Sequence, residues 1–275
     1  MPARSVLITG CSSGIGLAAA GLLKARGWHV VASARKVEDV VRLRTSGFDA
    51  AQLDIADPTS IGQALAETYA LTGGGLDALV NNAGIAIPGA LEDLTRENLR
   101  HQFEVNFFGT LDLTRRMLPG MRERGHGRII MIGSILGRVA MPWRGAYNAS
   151  KFALEGATDT LRLELHGSGI SVSLVDPGPV SSRFRDNSLR NFDAHVDAAA
   201  SMHAGAYARL RAETGARKDG QPFTVGPEAV AAKIAHVLES PRPKARYYVT
   251  FPAYALATAR CLLPTSWLDA LVSRI

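Results

Sequence analysis

"TGCSSGIG", residues 9–16, joins a short apolar segment to a stretch of helical spacing, and this junction decides how the first half of the chain folds. The segment before it, "SVLI" at residues 5–8, is typical of a short buried strand. Gly10, Gly14 and Gly16 permit a tight turn and a close approach of a ligand to the backbone, and free N–H groups at a helix start attract a pyrophosphate. The stretch predicts a strand, a phosphate-binding turn and a helix, although such a turn also occurs without a ligand.

The same alternation continues along the first 180 residues. Short apolar runs alternate with segments whose apolar residues recur at helical spacing. The later strand-like runs are "WHVVASA", "FDAAQLD", "LDALVNNAG", "GRIIMIGS" and "ISVSLVDPG", with one more expected at "ARYYVTF". Near-continuous apolar strands between helices indicate an α/β protein with a doubly wound parallel sheet. A ligand is expected beyond the carboxyl ends of the strands.

Composition limits the classes of function. With 275 residues, of which 47% are hydrophobic, the chain is expected to form one domain with a large core. Its net charge of +6 is spread along the sequence, which predicts a solvated surface and no nucleic-acid partner. Two distant cysteines, Cys11 and Cys261, and scattered histidines predict neither disulfides nor a metal site. The lack of a long apolar run or a signal peptide predicts a cytoplasmic protein.

The end of the second strand bears on the choice of cofactor. An acidic residue there binds the free 2′-hydroxyl of an adenosine ribose, whereas an arginine accommodates a 2′-phosphate. The sequence has Ala34 and Arg35 where the acid would stand, which favours NADP(H) over NAD(H). The alternative is that Arg35 and Lys36 form only the solvated start of the next helix.

Tyr147 and Lys151, in "YNASK", lie four positions apart and would share one face of a helix. An ammonium beside a phenol lowers the pKa of the phenol from about 10, which makes a usable acid and base. The spacing alone would also suit an exposed surface pair. Two other residues favour chemistry: Ser134 closes the strand "GRIIMIGS", and Asn106 lies in the apolar stretch "FEVNFFGT", where a buried amide needs a partner.

The order of these motifs resembles the short-chain dehydrogenase/reductase family of the single-domain type, which has a Rossmann fold. The resemblance covers about residues 4–250 and rests on "TGCSSGIG", "LDIAD" with Asp54, "NNAG" at 81–84, Asn106, Ser134, "YNASK" and "DPGPVSS". The glycine turn, "SARK" and the carboxyl-terminal extension are similar to the branch that contains hydroxysteroid, retinol and long-chain aldehyde reductases.

The resemblance implies a catalytic set of Asn106, Ser134, Tyr147 and Lys151. Tyr147 would donate a proton to a substrate carbonyl during reduction, or remove one from an alcohol during oxidation. Ser134 would hydrogen-bond the same oxygen. Lys151 would lower the pKa of Tyr147 and hold the nicotinamide ribose, and Asn106 would hold a water that continues the proton relay from Lys151 towards solvent.

The resemblance also implies which residues hold the cofactor. They are Gly10, Ser12, Ser13, Gly14, Ile15, Gly16, Arg35, Asp54, Ile55, Asn82, Ala83, Gly84, Tyr147, Lys151, Pro177, Gly178, Val180 and Ser182. Ser182 stands where the family usually has Thr, and this exchange keeps the hydroxyl. Asn81 is expected to bridge neighbouring strands instead, and no metal ligand is expected.

The catalytic domain is expected at residues 1–250, with a substrate-binding segment at 183–225 and an amphipathic helical tail at 251–275. Apolar pocket walls are expected from Leu136, Met141, Trp143 and Phe184. Such walls favour a small apolar ketone, aldehyde or alcohol as the substrate. With NADP(H) as the cofactor, the expected direction is reduction.

The tail carries apolar residues at helical spacing. The first interpretation is a helix that packs on the domain or on a second subunit. The alternative is a peripheral membrane contact through residues 252–275, aided by Arg260 and Arg274.

The resemblance implies a homodimer or homotetramer formed through the helices that carry Asn106 and Tyr147. Two other functions stay open: an NAD-dependent alcohol dehydrogenase of the hydroxysteroid or retinol type, and a dinucleotide-binding regulator without turnover. A regulator has no need of the complete catalytic set. An epimerase or dehydratase would need a larger substrate domain than the chain provides.

Overall fold

The computed structural model describes residues 4–216 and 223–273, which form a sheet of seven parallel strands covered by helices. The strands are β1 (Ser5–Ile8), β2 (His29–Ala34), β3 (Asp49–Gln52), β4 (Ala78–Asn81), β5 (Gly127–Ile132), β6 (Ile170–Asp176) and β7 (Arg246–Tyr248). Their order across the sheet is β3-β2-β1-β4-β5-β6-β7, and every neighbouring pair is parallel. The prediction of a doubly wound parallel sheet is confirmed.

Eleven α-helices belong to the described residues. They are α1 (Gly14–Ala25), α2 (Val37–Thr45), α3 (Pro58–Leu71), α4 (Arg96–Phe103), α5 (Gly109–Arg124), α6 (Gly145–Glu164), α7 (Phe184–His195), α8 (Ala204–Ala216), α9 (Pro227–Glu239), α10 (Phe251–Leu262) and α11 (Thr265–Val272).

The direction of winding changes between β1 and β4. From β1 the chain continues to β2 and β3 on one flank, and from β4 it continues to β5, β6 and β7 on the other. Connections that leave two adjacent strands in opposite directions open a crevice beyond their carboxyl ends, and ligands bind in such a crevice. Both strands are buried along their whole length, because helices lie on both faces of the sheet.

Two hydrophobic cores hold the helices to the two faces of the sheet. In the first, Leu23 of α1 and Ile234 of α9 pack with Ile8. In the second, Met117 of α5 packs on the opposite face with Leu7. Neighbouring residues of β1 thus belong to different cores, because successive side chains of a strand point to opposite faces.

The segment 183–225 contains helices α7 and α8, and residues 217–222 within it lie outside the described part of the chain. Phe192 and Tyr207 of these two helices are buried in a third core together with Ala146. The segment is therefore attached to the domain by apolar contacts, and these position it over the carboxyl edge of the sheet.

The tail consists of two helices, α10 and α11, which are separated near Pro264. Their inner side chains, including Leu256 and Leu268, pack with Val139 in a fourth core, so the tail packs on the domain as the first interpretation expected. Arg274 lies outside the described residues. Within residues 4–216 and 223–273, no helix combines the length and the hydrophobicity that crossing a membrane requires. Formation of a dimer or tetramer stays a prediction.

Truncation of Leu79 in β4 tests the central core. This side chain has no exposed surface, so Leu79→Ala leaves a cavity and should lower the free energy of unfolding by about 2–5 kcal/mol in chemical denaturation. Val41→Ala on α2 is the control, because Val41 is 54% exposed, and it should change that free energy by less than about 0.5 kcal/mol. Equal effects of the two substitutions would contradict this core.

Candidate active site

The glycine turn lies where β1 ends and α1 begins. Gly10 and Gly14 have φ angles of 73° and 60°, a region that favours glycine. A Cβ on Gly16 would lie 2.5 Å from the Gly10 carbonyl oxygen and 2.6 Å from Asn82 Nδ2, so no side chain fits there. The first N–H groups of α1 have no carbonyl partner within their own helix. The turn therefore has the shape and the backbone donors that bind a phosphate group.

Hydrogen bonds join this turn to the end of β4. Thr9 Oγ1 accepts from the N–H groups of Asn82 at 2.9 Å and Ala83 at 2.8 Å. Asn82 Nδ2 donates to the carbonyl oxygens of Thr9 at 2.8 Å and Gly10 at 3.2 Å. Asn81 Nδ2 contacts a methionine sulfur of β5 at 3.2 Å, which agrees with its expected role between strands. The role of Thr9 is not predicted from the sequence, although Thr9 directly precedes Gly10 in the first motif and could have been identified by that position.

A cavity of about 970 Å³ opens along the carboxyl edge of the sheet. It brings together most of the residues that the sequence predicts for cofactor, substrate and chemistry. The predicted residues that line it are Gly10, Ser12, Ser13, Gly14, Ile15, Arg35, Asp54, Ile55, Asn82, Ala83, Gly84, Ser134, Leu136, Met141, Trp143, Tyr147, Lys151, Pro177, Gly178, Val180, Ser182 and Phe184. Gly16 and Asn106 are buried and do not line it.

Arg35 and Asp54 follow β2 and β3 and line the cavity near the glycine turn. Arg35 is exposed, whereas the Asp54 Oδ1 accepts from the N–H of Ala56 at 3.0 Å. A second arginine, Arg42 of α2, donates from Nη2 to the carbonyl oxygen of Ser12 at 2.6 Å. Sequence reasoning misses Arg42, because only the packing of α2 brings it to the turn. Arg42 also pairs with Asp39 at 2.8 Å and does not line the cavity, so the positive charge that lines this end beside the phosphate-binding turn comes from Arg35.

Tyr147 and Lys151 share one face of α6, as their spacing predicts, and lie close to Ser134 at the end of β5. Lys151 Nζ donates to the carbonyl oxygen of Ile132 at 2.7 Å and lies 5.8 Å from the centre of the Tyr147 ring. The Ser134 side chain lies near the Tyr147 phenol, and its hydroxyl accepts from the N–H of Leu136 at 3.1 Å. A phenol, an alcohol and an ammonium thus meet on the cavity wall.

Burial dominates the proton affinities of these groups. Loss of hydration raises the pKa of Tyr147 to about 12, and the nearby Ser134 hydroxyl only partly opposes this rise. The same loss of hydration lowers the pKa of Lys151 to about 8. In the protein alone desolvation therefore leaves the pKa of Tyr147 above its ordinary value, while the Lys151 ammonium donates to Ile132. The expected lowering of the Tyr147 pKa by Lys151 stays a prediction.

Asn106 lies in a π-helical turn, Glu104–Phe108, between α4 and α5. Its Oδ1 accepts from the N–H of Ile85 at 2.9 Å, while Nδ2 donates to the Ile85 carbonyl at 2.9 Å and to Ser150 Oγ at 3.1 Å. The buried amide thus has the partners that its apolar surroundings demand, and it connects the segment after β4 to α6. Its expected role in holding a water stays a prediction.

Aromatic side chains enclose the opposite end of the cavity. The Phe184 ring of α7 lies 5.8 Å from the ring of Tyr147. Trp143 has a φ of 62°, which is unusual for a bulky residue. Its ring packs on Tyr207 of α8 at 5.9 Å and on His203 at 5.0 Å. The walls near Tyr147 are therefore mainly apolar and come from separate segments of the chain.

Sequence reasoning misses further lining residues of this end. They come from α7, α8 and the tail, and are Leu189, Phe192, Tyr207, Phe251, Leu256 and Leu271. Helical spacing in the tail marks an apolar face, but it does not show that this face reaches the cavity. In the described ranges, His, Cys, Asp and Glu side chains form no group of three that could hold a metal ion.

Comparison with known proteins finds close relatives. The family model described as short chain dehydrogenase matches residues 4–192. The uncharacterized oxidoreductase YbbO of Escherichia coli K12 is 43% identical over 98% of this chain and 94% of its own. Retinol dehydrogenase 8 of Homo sapiens is 35% identical over 88% of this chain and 80% of its own. A crystal structure of a short-chain dehydrogenase from Streptomyces avermitilis has a TM-score of 0.76 and 31% identity, covering 98% of this chain and 94% of that one.

Proposed function

The chain belongs to the short-chain dehydrogenase family, and from this premise we propose that it is an NADP(H)-dependent oxidoreductase that reduces apolar ketones or aldehydes. One observation carries the proposal: the Ser134 and Tyr147 side chains lie close together beside Lys151, in the same cavity as the glycine turn. A proton donor and an anion-binding turn in one cavity are what hydride transfer to a carbonyl requires of a protein.

The glycine turn and its surroundings fit a nicotinamide dinucleotide. Gly16 packs directly against the Gly10 carbonyl and the Asn82 side chain, which keeps the turn tight, and the free N–H groups at the start of α1 would bind a pyrophosphate. Asp54 and Ile55 would contact the adenine, and Arg35 would face the 2′-phosphate of NADP(H). Arg42 supports the turn by binding the Ser12 carbonyl oxygen, while its charge is paired with Asp39.

The catalytic side chains would act on the substrate oxygen. Bound in the cavity, the cofactor supplies a hydride to the carbonyl carbon. The Tyr147 hydroxyl donates its proton to the carbonyl oxygen, so the product is an alcohol, and Ser134 donates a hydrogen bond to the same oxygen. Lys151 stabilises the tyrosinate that this step leaves. The raised pKa of Tyr147 keeps its proton in place until a substrate arrives, and this is the protonation state that reduction needs.

The cavity walls favour an apolar substrate. Leu136, Met141 and Phe184 line the space next to Tyr147, and Leu256 and Leu271 extend this lining into the tail. Such walls stabilise hydrocarbon, although Arg144, Arg185 and Arg211 also line the cavity.

A second candidate is an NAD-dependent alcohol dehydrogenase of the retinol type. The similarity to retinol dehydrogenase 8 favours it, and it would use the same side chains in the oxidative direction. A regulator without turnover is less well supported, because cofactor binding alone does not require the contact between Ser134 and Tyr147. A screen of aldehydes, ketones and alcohols with each nicotinamide cofactor separates the three functions.

Substitution of Tyr147 tests the proton donor. Tyr147→Phe removes the hydroxyl that protonates the substrate oxygen, so kcat should fall about 10²–10⁴-fold in a spectrophotometric assay of NADPH consumption. The dissociation constant of NADPH, measured by fluorescence, should change little. Tyr69→Phe on α3, outside the cavity, is the matched control and should keep full activity. Retention of most of the activity by Tyr147→Phe would remove Tyr147 from the mechanism.

Substitution of Arg35 tests the choice of cofactor. Arg35→Ala should raise the KM for NADPH at least about tenfold, because a charge-assisted bond to the 2′-phosphate is lost, and should leave the KM for NADH nearly unchanged. Arg44→Ala is the control, because Arg44 lies on α2, the helix that follows Arg35, but pairs with Glu67 and does not line the cavity. If Arg35→Ala weakens both cofactors to the same extent, the preference for NADP(H) is wrong.

The outer face of the tail is the basis of one further proposal about partners. Phe251, Leu262 and Trp267 are 66%, 74% and 67% exposed, although α10 and α11 are packed on the domain. Phe251 and Leu271 also line the cavity, so the exposed apolar face is continuous with the substrate site. We propose that this face contacts an anionic membrane surface, to which the net charge of +6 attracts the chain.

Co-sedimentation with liposomes tests this contact. The full chain should sediment with vesicles that contain anionic phospholipid, and the double substitution Leu262→Ala, Trp267→Ala should reduce the bound fraction several-fold. Val41→Ala, which removes an exposed apolar side chain from α2, should leave binding unchanged. Absence of sedimentation of the unsubstituted chain would remove the membrane as a partner, as would equal binding by all variants.

A further inference from the structure

A buried charged cluster lies next to Lys151 and is not part of the catalytic set. Asp176, the last residue of β6, has no exposed surface. Its carboxylate fills the space over Gly133, where a Cβ would lie 2.0 Å from Asp176 Oδ1. Gly133 stands between Ile132, whose carbonyl oxygen binds Lys151, and Ser134. Asp176 is therefore immediately beside the backbone that positions the two catalytic groups.

Asp176 faces a second buried carboxyl group, Glu155 of α6. Among the described residues, both Asp176 oxygens and Glu155 Oε1 have no hydrogen-bond donor. Two facing carboxylates without donors are strongly destabilised, and a proton held by one of them supplies the missing hydrogen bond. Burial and the proximity of Glu155 accordingly raise the pKa of Asp176 to about 8. Near neutrality the pair holds one proton.

Arg246 of β7 anchors this carboxyl pair. It forms an ion pair with Glu155, and its Nε lies 3.4 Å from Asp176 Oδ2. It also contacts Asp159, at 3.2 Å, at the exposed end of the cluster. Arg138 approaches Glu155 at 3.8 Å from the turn after β5. The ion pairs hold the two buried carboxyl groups in place across α6, β6 and β7.

The charged and titratable groups around Asp176 come from each element packed against it. They are Tyr147, Lys151, Glu155 and Asp159 of α6, Arg246 and Tyr248 of β7, and Arg138 of the turn after β5. The negative charge of Asp176 raises the pKa of both Lys151 and Tyr147. Asp159, in contrast, acts on Arg246 and is largely separated from the catalytic groups by it.

We propose that Asp176, paired with Glu155, is a positioning residue that keeps Lys151 charged and Tyr147 protonated, and so maintains the site as a proton donor. The inference rests on the proposed function, because a proton donor serves carbonyl reduction. With one shared proton the pair carries a single negative charge, which Arg246 neutralises. As pH rises past about 8 the pair loses that proton, and the added charge opposes the loss of the Lys151 proton in the same range.

The variant Asp176→Asn tests the pair directly. It keeps the shape of the side chain but cannot ionise, so Lys151 should lose its proton about one pH unit lower than in the unsubstituted protein. An NMR titration of ¹³C-labelled lysine side chains, with Lys151→Arg to assign the signal, measures this midpoint without substrate or cofactor. Asp159→Asn is the matched control, since it contacts the same arginine and should leave the midpoint unchanged.

The pH profile of carbonyl reduction supplies the second readout. In Asp176→Asn the alkaline fall of kcat/KM should move about one pH unit lower, into the neutral range, with little change in rate at acidic pH. Glu155→Gln removes the other carboxyl group of the pair and should shift both readouts in the same direction. If one of the two variants fails to fold, the other still tests the proposal. Unchanged midpoints and profiles in the folded variants would overturn the proposal. A protein that reduces no carbonyl compound would refute the proposed function, while the lysine titration would still decide on the pair.

Discussion

Hydrogen bonds between Thr9 and Asn82 hold β1 and β4 together at the point where the winding of the sheet changes direction. The chain leaves these two strands towards opposite flanks, and the pairing of β1 with β4 and these hydrogen bonds together set the width of the crevice between their ends. The glycine turn sits on one side of this crevice. Ser134 takes its position from the other side, because β5 pairs with β4. The distance between the glycine turn and the catalytic residues is therefore set by the pairing of the strands at this edge of the sheet.

Features that depend on neighbouring residues could be predicted from the sequence. The glycine turn, the pairing of Tyr147 with Lys151 on one helix face and the alternation of strands with helices are all of this kind, and the structure has each of them. Contacts between distant segments could not be predicted. Arg42 reaches the glycine turn only through the orientation of α2, and Leu256 reaches the cavity only because the tail folds back on the domain.

The pKa of Tyr147 in the folded chain is another property that could not be predicted from the sequence. Spacing places an ammonium near the phenol, but it does not show how much water both groups lose or where the ammonium donates its hydrogen bond. In the folded chain the lost hydration leaves the pKa of Tyr147 above its ordinary value, and Ile132 binds Lys151. The carboxyl pair of Asp176 and Glu155 is equally invisible in the sequence, because only the packing of α6 on the sheet makes it. The spacing in the sequence identifies these residues, but their burial in the folded chain determines their pKa values.

The left-handed backbone at Trp143 has a consequence for the shape of the pocket. A bulky residue in that region costs roughly 1–3 kcal/mol, so surrounding contacts must stabilise it, and here these are the rings of Tyr207 and His203. The conformation of one pocket wall therefore depends on the placement of α8, which carries Tyr207. An exchange of the Tyr207 ring would remove part of this support, so a residue of α8 can change the shape of a wall that a different segment of the chain supplies.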